Sequence, residues 1–277
     1  MTEFLGLDSL ILTALREDVG TGDITTLSCV EAGARSMGRF VAKQDGVVCG
    51  SFMPECVYKL LGGDVTVTLC VRDGAKVKKG DVIATVEGNS RQMLTGERVV
   101  LNLFQHMSGI ATQTFEAVQQ INGTNAKIID TRKTTPGLRE LEKYAVRTGG
   151  GSNHRFGLSD GVLIKDNHIK AAGGITAAVT AARGLAPHTL KIEVETETLE
   201  QVAEALEAGA EIIMLDNMSL EQMSEAVAFI NGRALTEASG NMGERDLREV
   251  AKTGVDFISI GALTHTVRAL DISLKFE

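Results

Sequence analysis

From about residue 127 the chain alternates short apolar runs with longer stretches of helical periodicity. The apolar runs are Lys127-Ile-Ile-Asp130, Gly161-Val-Leu-Ile-Lys165, Lys191-Ile-Glu-Val-Glu195, Glu211-Ile-Ile-Met-Leu-Asp216, Arg233-Ala-Leu-Thr-Glu237 and Asp256-Phe-Ile-Ser-Ile-Gly261. Between the later ones, Leu199 to Leu206 and Leu220 to Ile230 carry the helical repeat. Alternation at this spacing predicts βαβ units and a parallel sheet. Each apolar run ends in polar residues. A βα barrel delivers all its strand C-termini to one face, whereas a doubly wound sheet concentrates its ligand at one switch point. The repeated polar strand ends, and the absence of G-x-G-x-x-G at an early strand-helix junction, favour the barrel.

Residues 1–108 have a different rhythm and form a predicted N-terminal α+β domain, ahead of a barrel over 109–277 that the last residues of the chain leave to rejoin the first domain. Ser9 to Arg16 and Pro54 to Leu61 read as helices, and Thr95 to about Gln120 as a long one with Thr95 at its N-cap. Arg39 to Lys43 and Gly46 to Gly50 read as strands, and Val65-Thr-Val-Thr-Leu69 alternates as a half-buried strand does. Val71 to Gly88, with turns at Asp73-Gly74 and Lys79-Gly80, looks like the hammerhead of biotinyl and lipoyl carriers. It lacks a lysine set on a hairpin tip between apolar flanks, so it is expected to be structural only.

Composition narrows the partners. The chain has 277 residues and a net charge of −8, a poor match to nucleic acid or an anionic membrane surface. No run approaches the roughly 18 apolar residues of a membrane span, and Met1-Thr-Glu-Phe-Leu5 lacks the features of a signal peptide. Cys29, Cys49, Cys56 and Cys70 form no C-x-x-C pair and are expected to be buried free thiols in a reducing cytoplasm.

Against this acidic background, Asp130 to Ile169 holds seven Lys or Arg and five acids. Arg132 and Lys133 adjoin a strand end, Lys165 ends the next strand, and Gly149-Gly-Gly151 leads into Ser152-Asn-His154-Arg155. Arg and Lys in a cleft recognise carboxylates and phosphates, so the cluster predicts an enzyme acting on a small polyanion. The glycines either let backbone approach a ligand or turn the chain. Lys143 and Arg147, four apart, are expected on a solvated helix face; Arg139 and His168 fit either a structural or a site role. Glu193 and Glu195 flank Val194, and only one is expected to face the barrel centre, Glu195 being nearer the strand end. Glu195 and Asp216 are candidate ligands for Mg²⁺ or for ribose hydroxyls. Ser239-Gly240-Asn241 and Ser259-Ile260-Gly261 end the last two strands, where barrels commonly bind phosphate.

These motifs closely resemble those of the quinolinate phosphoribosyltransferase family. The resemblance runs from Glu17-Asp-Val-Gly-Thr-Gly-Asp-Ile-Thr25 to the C-terminus. It includes Glu97-Arg-Val-Val-Leu-Asn-Leu103, Ser108-Gly-Ile-Ala-Thr112, Asp130-Thr-Arg-Lys-Thr-Thr-Pro-Gly137, Lys143-Tyr-Ala-Val146, Gly149-Gly-Gly-Ser-Asn-His-Arg155, Leu163-Ile-Lys-Asp-Asn-His-Ile169, Met214-Leu-Asp-Asn217 and Glu237-Ala-Ser-Gly240. It implies an open, atypical parallel α/β barrel with an N-terminal α+β sandwich domain, and a homodimer or dimer-based oligomer whose sandwich covers the barrel of the other chain. The implied reaction joins quinolinate to phosphoribosyl pyrophosphate with Mg²⁺, giving nicotinate mononucleotide, pyrophosphate and CO₂ in NAD biosynthesis. The implied site is Arg98 from the partner, Thr131, Arg132, Lys133, His154, Arg155, Lys165, Glu195 and Asp216, with the Ser239 and Gly261 loops at phosphate. Lys133, Glu195 and Asp216 are the expected catalytic residues. Alternatives are the molybdenum-locus relative, expected to lack parts of the Lys165-Asp-Asn-His-Ile169 and Tyr144-Ala-Val146 set; a nicotinate phosphoribosyltransferase, which would not decarboxylate and often couples to ATP; and a non-catalytic anion-binding barrel, expected to have lost charges of the cluster.

Overall fold

A computed structural model describes residues 4–277. The chain divides into two compact units: one built from the residues up to Phe115 with 136–149 and 267–277, the other from 116–135 and 150–266.

In the first unit an antiparallel sheet runs in the order β12 (Ile272–Phe276), β1 (Arg35–Ala42), β5 (Val82–Asn89), β3 (Val65–Leu69), and β2 (Gly46–Val47) pairs with β4 (Lys76–Val77). Its helices are α1 (Leu7–Val19), α2 (Ile24–Cys29), α3 (Met53–Leu60), the first part of α4 (Ser90–Gln120) and α5 (Arg139–Thr148). The carrier-like stretch is part of this framework, with Lys76 Nζ lying 4.0 Å over the Phe115 ring. Helix α4 begins five residues before Thr95. Thr95 is therefore no N-cap, and its hydroxyl donates to Asp23 at 3.2 Å.

Two further expectations change here. Lys143 is buried, 2% exposed, on a charged inner face of α5 where neighbouring Glu142 is fully buried and pairs with His106 at 2.8 Å. Only Arg147 keeps the expected exposed setting, over the Tyr144 ring. Of the four unpaired thiols, Cys49 is buried and Cys56 half-buried, but Cys29 and Cys70 are exposed. Burial pushes the Cys49 thiol far above its ordinary range, so it is inert.

The second unit is a six-stranded parallel sheet in the order β6 (Lys127–Ile129), β11 (Phe257–Ser259), β10 (Leu235–Ser239), β9 (Ile212–Asp216), β8 (Ile192–Thr196), β7 (Val162–Ile164). Helices α6 (Asp166–Ala172), α7 (Ile175–Leu185), α8 (Leu199–Glu207), α9 (Leu220–Ile230), α10 (Leu247–Lys252) and α11 (Ala262–His265) follow successive strands. The end strands β6 and β7 do not pair with each other. This is the open, atypical α/β barrel. The free edge of β6 takes a single parallel bridge from Ser152, whose N–H donates to Ile128 O at 2.9 Å. That bridge stitches the loop carrying His154 and Arg155 to the strand carrying Arg132 and Lys133. Among the described residues no helix is long and apolar enough to cross a membrane.

Candidate active site

A strand's pleat repeats every two residues, so residues i and i+2 share a face. Glu193 and Glu195 therefore point the same way, and the expectation that only one faces the barrel centre is corrected. The two differ in depth. Glu193 is buried, with its Oε2 3.1 Å from His154 Nε2. Glu195 lies at the strand end, where its Oε2 accepts from Lys165 Nζ at 2.7 Å. The same rule puts Met214 with Asp216 on β9, and Glu237 with Ser239 on β10. Register aligns Glu195, Met214 and Glu237 across three strands, and Asp216 beside Ser239.

At the mouth, two contiguous hollows share Thr131, Lys133, Lys165, Ser239 and Ser259. The smaller, about 290 Å³, adds Arg132, His154, Arg155, Met214 and Glu237. The larger, about 550 Å³, adds Glu195, Asp216, Asn217, the Gly240-Asn241 turn and Gly261. One is cationic, and the other is polar with three carboxylates, Glu195, Asp216 and the exposed Glu244. Lys133 and Lys165 stand in the wall common to both.

The cationic hollow is held open by backbone. Asp130, fully buried at the end of β6, accepts from the His154 N–H at 2.9 Å and from Asn153 Nδ2 at 2.5 Å. Arg155 Nη1 donates to Gly161 O at 2.9 Å, and Asp160 accepts from the Phe156 and Gly157 N–H groups, closing the loop that follows. Burial, and then the charge of Arg132, hold the Arg155 guanidinium below its ordinary pKa. Two mutually repelling guanidiniums in a half-buried pocket are poised for an anion. Burial and the neighbouring Glu193 carboxylate push Glu237 well above the usual carboxylate range.

In the polar hollow, Asp216 Oδ2 accepts from Asn217 Nδ2 at 2.7 Å. Gly240 has φ +94°, and a Cβ there would collide with Asn217. Gly261 is tight for another reason: a Cβ would lie 3.1 Å from Lys133 Cδ and 3.1 Å from the His265 ring. Gly261→Ala is expected to displace Lys133 by a few tenths of an ångström and lower kcat about tenfold, a fraction of the roughly 100-fold that a full ångström of misplacement can cost. Unchanged steady-state kinetics would remove Gly261 from the site.

The remaining sequence-predicted residues fall elsewhere. Arg98 is exposed on α4 in the first unit, and Arg139 is half-buried on α5. Ile260 is buried and spends its N–H on Ile129 O at 3.0 Å, so it has none to offer a phosphate. His168 Nδ1 accepts from the Lys165 N–H at 2.9 Å, which fixes the start of α6. Gly149 ends α5, where it packs on Ala111 O, and Gly150 turns the chain. Sequence reasoning does not single out Asp130 or Glu237, and it sets Glu193 second to Glu195. The two-residue period counted back from Glu195 and from Ser239 points to the two glutamates.

The family model described as "Quinolinate phosphoribosyl transferase, N-terminal domain" matches residues 23–108, and that of the C-terminal domain matches 110–275. The chain is similar to the probable nicotinate-nucleotide pyrophosphorylase (carboxylating) of Bacillus subtilis, at 48% identity over 98% of this chain and 93% of that one. Among solved structures it is similar to the nicotinate-nucleotide pyrophosphorylases of Francisella tularensis and Ehrlichia chaffeensis. Both give 40% identity and a TM-score of 0.94; the first covers 98% of this chain and 96% of the other, the second all of both.

Proposed function

The chain belongs to the quinolinate phosphoribosyltransferase family, and we propose that its cationic hollow takes quinolinate while its polar hollow takes phosphoribosyl pyrophosphate. The enzyme transfers phosphoribosyl to quinolinate with decarboxylation, in NAD biosynthesis. The observation that carries the assignment of the hollows is their adjacency with opposite character. A planar dianion fits beside Arg132, Arg155 and Lys165, and a phosphorylated sugar beside Glu195, Asp216 and the glycine turns.

Positioning and charge neutralisation then account for the chemistry. The pyridine nitrogen attacks the anomeric carbon as the bond to pyrophosphate breaks, and the electron pair leaves with the pyrophosphate. Lys133 and Lys165, in the common wall, lie where charge moves from one substrate to the other. Once N-ribosylated, the ring is cationic and takes up the electron pair released when the adjacent carboxylate departs as CO₂. No side chain need abstract a proton. His154 lines the pocket beside Arg155, but both its nitrogens already face protein partners, so it contributes by orienting the loop.

Mg²⁺ fits the polar hollow. Its two strand-end carboxylates, Glu195 and Asp216, are half-exposed and each keeps an oxygen free of the bonds described, matching an ion that holds several waters and takes one or two carboxylates plus substrate phosphates. When bound, it supplies positive charge to the leaving pyrophosphate. Glu195 and Asp216 would hold it, directly or through water. Chelation is expected to stop turnover and added Mg²⁺ to restore it. Asp216→Ala should raise the Mg²⁺ needed for half-maximal rate by about tenfold, as loss of one charged ligand does, and leave the KM for quinolinate within about twofold. An unchanged Mg²⁺ requirement would take Asp216 out of the metal site.

We further infer a cytoplasmic homodimer with shared sites. Unpaired, exposed Cys29 and Cys70 suit a reducing compartment. Arg98, exposed on α4, is assigned to the quinolinate site of a second copy. Arg98→Ala and Lys133→Ala should each be inactive, yet mixing the two after dissociation should recover about a quarter of native activity, because half the dimers are mixed and each has one intact site. No recovery in verified mixed dimers would refute sharing. The primary assay is purified protein with quinolinate, phosphoribosyl pyrophosphate and Mg²⁺, scored for CO₂ and nicotinate mononucleotide. Turnover of nicotinate with none of quinolinate would refute the substrate.

A further inference from the structure

The two lysines in the wall common to both hollows are held in different ways. Lys165 is fixed through its side chain, by the ion pair with Glu195 at 2.7 Å. Lys133 is exposed and lies on the loop after β6, outside any helix or strand. A lysine stem is long and rich in rotamers. On a loop, it brings its charge to one place only if the backbone beneath it is fixed.

Strands β6 and β11 are parallel neighbours, with Ile129 opposite Ser259, so the loops leaving their ends run side by side. Within the first loop, the Lys133 N–H donates to Thr131 Oγ1 at 3.0 Å. From beyond the second, the Thr264 hydroxyl donates to Lys133 O at 2.8 Å. Thr264 is 1% exposed and sits in α11, where its own N–H donates to Gly261 O at 3.1 Å. A helical threonine often turns its hydroxyl back on a carbonyl three or four residues earlier. Here that local acceptor, Gly261 O, is 3.3 Å away, and the distant Lys133 O is the closer. A hydroxyl has one proton to give, and the shorter contact takes it. Gly261 stands three residues before Thr264, on the same side of the turn. A Cβ there would lie 3.1 Å from Lys133 Cδ, so the lysine stem passes against it. One short turn thus serves Lys133 twice: Gly261 leaves room for the stem, and Thr264 pins the backbone.

We propose that Thr264 is a positioning residue for the reaction: its hydroxyl, given to the Lys133 carbonyl, sets where the Lys133 ammonium meets the pyrophosphate group of the second substrate. Thr264 lines neither hollow and acts wholly through Lys133. The role rests on the reading that Lys133 faces phosphoribosyl pyrophosphate.

Thr264→Val keeps the branched shape and removes the hydroxyl, and Thr264→Ser keeps the hydroxyl and removes the methyl. Pyrophosphate with Mg²⁺, titrated calorimetrically into the ligand-free enzyme, reads the placing of Lys133 without turnover. The valine variant should bind it about tenfold more weakly and lose a similar factor in kcat/KM for phosphoribosyl pyrophosphate, while serine stays within about threefold of native on both. A double-mutant cycle with Lys133→Ala identifies the route. Once the ammonium is gone, Thr264→Val should weaken pyrophosphate binding no further. An equal further loss in that background overturns the proposal, as does native binding by valine or a serine variant as poor as valine. If Lys133→Ala binds too weakly to titrate, the contrast between serine and valine decides alone. Should valine not fold, Thr264→Ala, which lacks the hydroxyl and adds no bulk, replaces it in the same cycle. If Lys133→Ala binds pyrophosphate as the native enzyme does, the placing of Lys133 at that substrate falls and this role falls with it. If Lys133→Ala binds poorly while Thr264→Val binds normally, only the role of Thr264 falls.

Discussion

Arg132→Ala is expected to remove nearly all turnover of quinolinate while the protein stays folded. Arg132 lines the 290 Å³ hollow, and its charge already presses on Arg155. That repulsion is relieved only when an anion arrives, so the pair discriminates strongly between empty and occupied pocket. Truncating one partner of a desolvated charge pair costs about 2–5 kcal/mol, or roughly 30- to 4,000-fold in kcat/KM for quinolinate at 1.4 kcal/mol per decade. Stability moves the other way: taking out a repelled cation should leave the Tm unchanged or slightly raised. Arg132→Lys restores charge but not the planar fork, so it should recover only part of the loss. Kinetics with each substrate varied, together with a thermal melt, check this. Near-native kcat/KM in a folded alanine variant would sink the assignment.

How far the site could be read beforehand depended on how each residue meets solvent. Strand ends were legible because the residues just before them are apolar on both faces and the residues just after meet water. Arg132, Lys165, Asp216 and Ser239 each stand at such a boundary, within a residue or two of where the alternation places it. The layer beneath was harder to see. Glu193 and Glu237 sit inside strands with buried neighbours on either side, and only a strict count of the pleat separates an inward glutamate from an outward one. Lys143 misled for a related reason. Spaced four from Arg147, it fits a surface pair, but α5 turns a charged face inward where Glu142 already meets His106. Hydrophobic periodicity reports apolar burial and is silent on buried polar networks. Thr95 failed because a preceding strand runs straight into α4 at Ser90, with no loop for a cap to mark.

The second large effect is expected at a residue that touches no substrate. Asp130 is fully buried where β6 ends, immediately before Thr131-Arg132-Lys133, and it binds the His154 N–H and the Asn153 amide. One carboxylate thus ties the strand bearing half of the cation cluster to the loop bearing the other half. Asp130→Ala would take the acceptor from two half-buried donors, each costing up to about 1–3 kcal/mol and more where the lost partner was charged. The barrel unit should lose roughly 3 kcal/mol, read as an earlier urea midpoint. The freed loop also carries His154 and Arg155, so kcat/KM for quinolinate should fall about 100-fold through lost orientation, while the KM for phosphoribosyl pyrophosphate changes little. Asp130→Asn keeps one carbonyl oxygen, enough for the His154 N–H but not for both donors, and should fall between native and alanine on both scales. The paired readout separates the two roles. A destabilised alanine variant with native kcat/KM would mean that the bridge from Ser152 to β6 holds the loop by itself. Loss of both together would place the anchor of the quinolinate pocket in this one buried carboxylate.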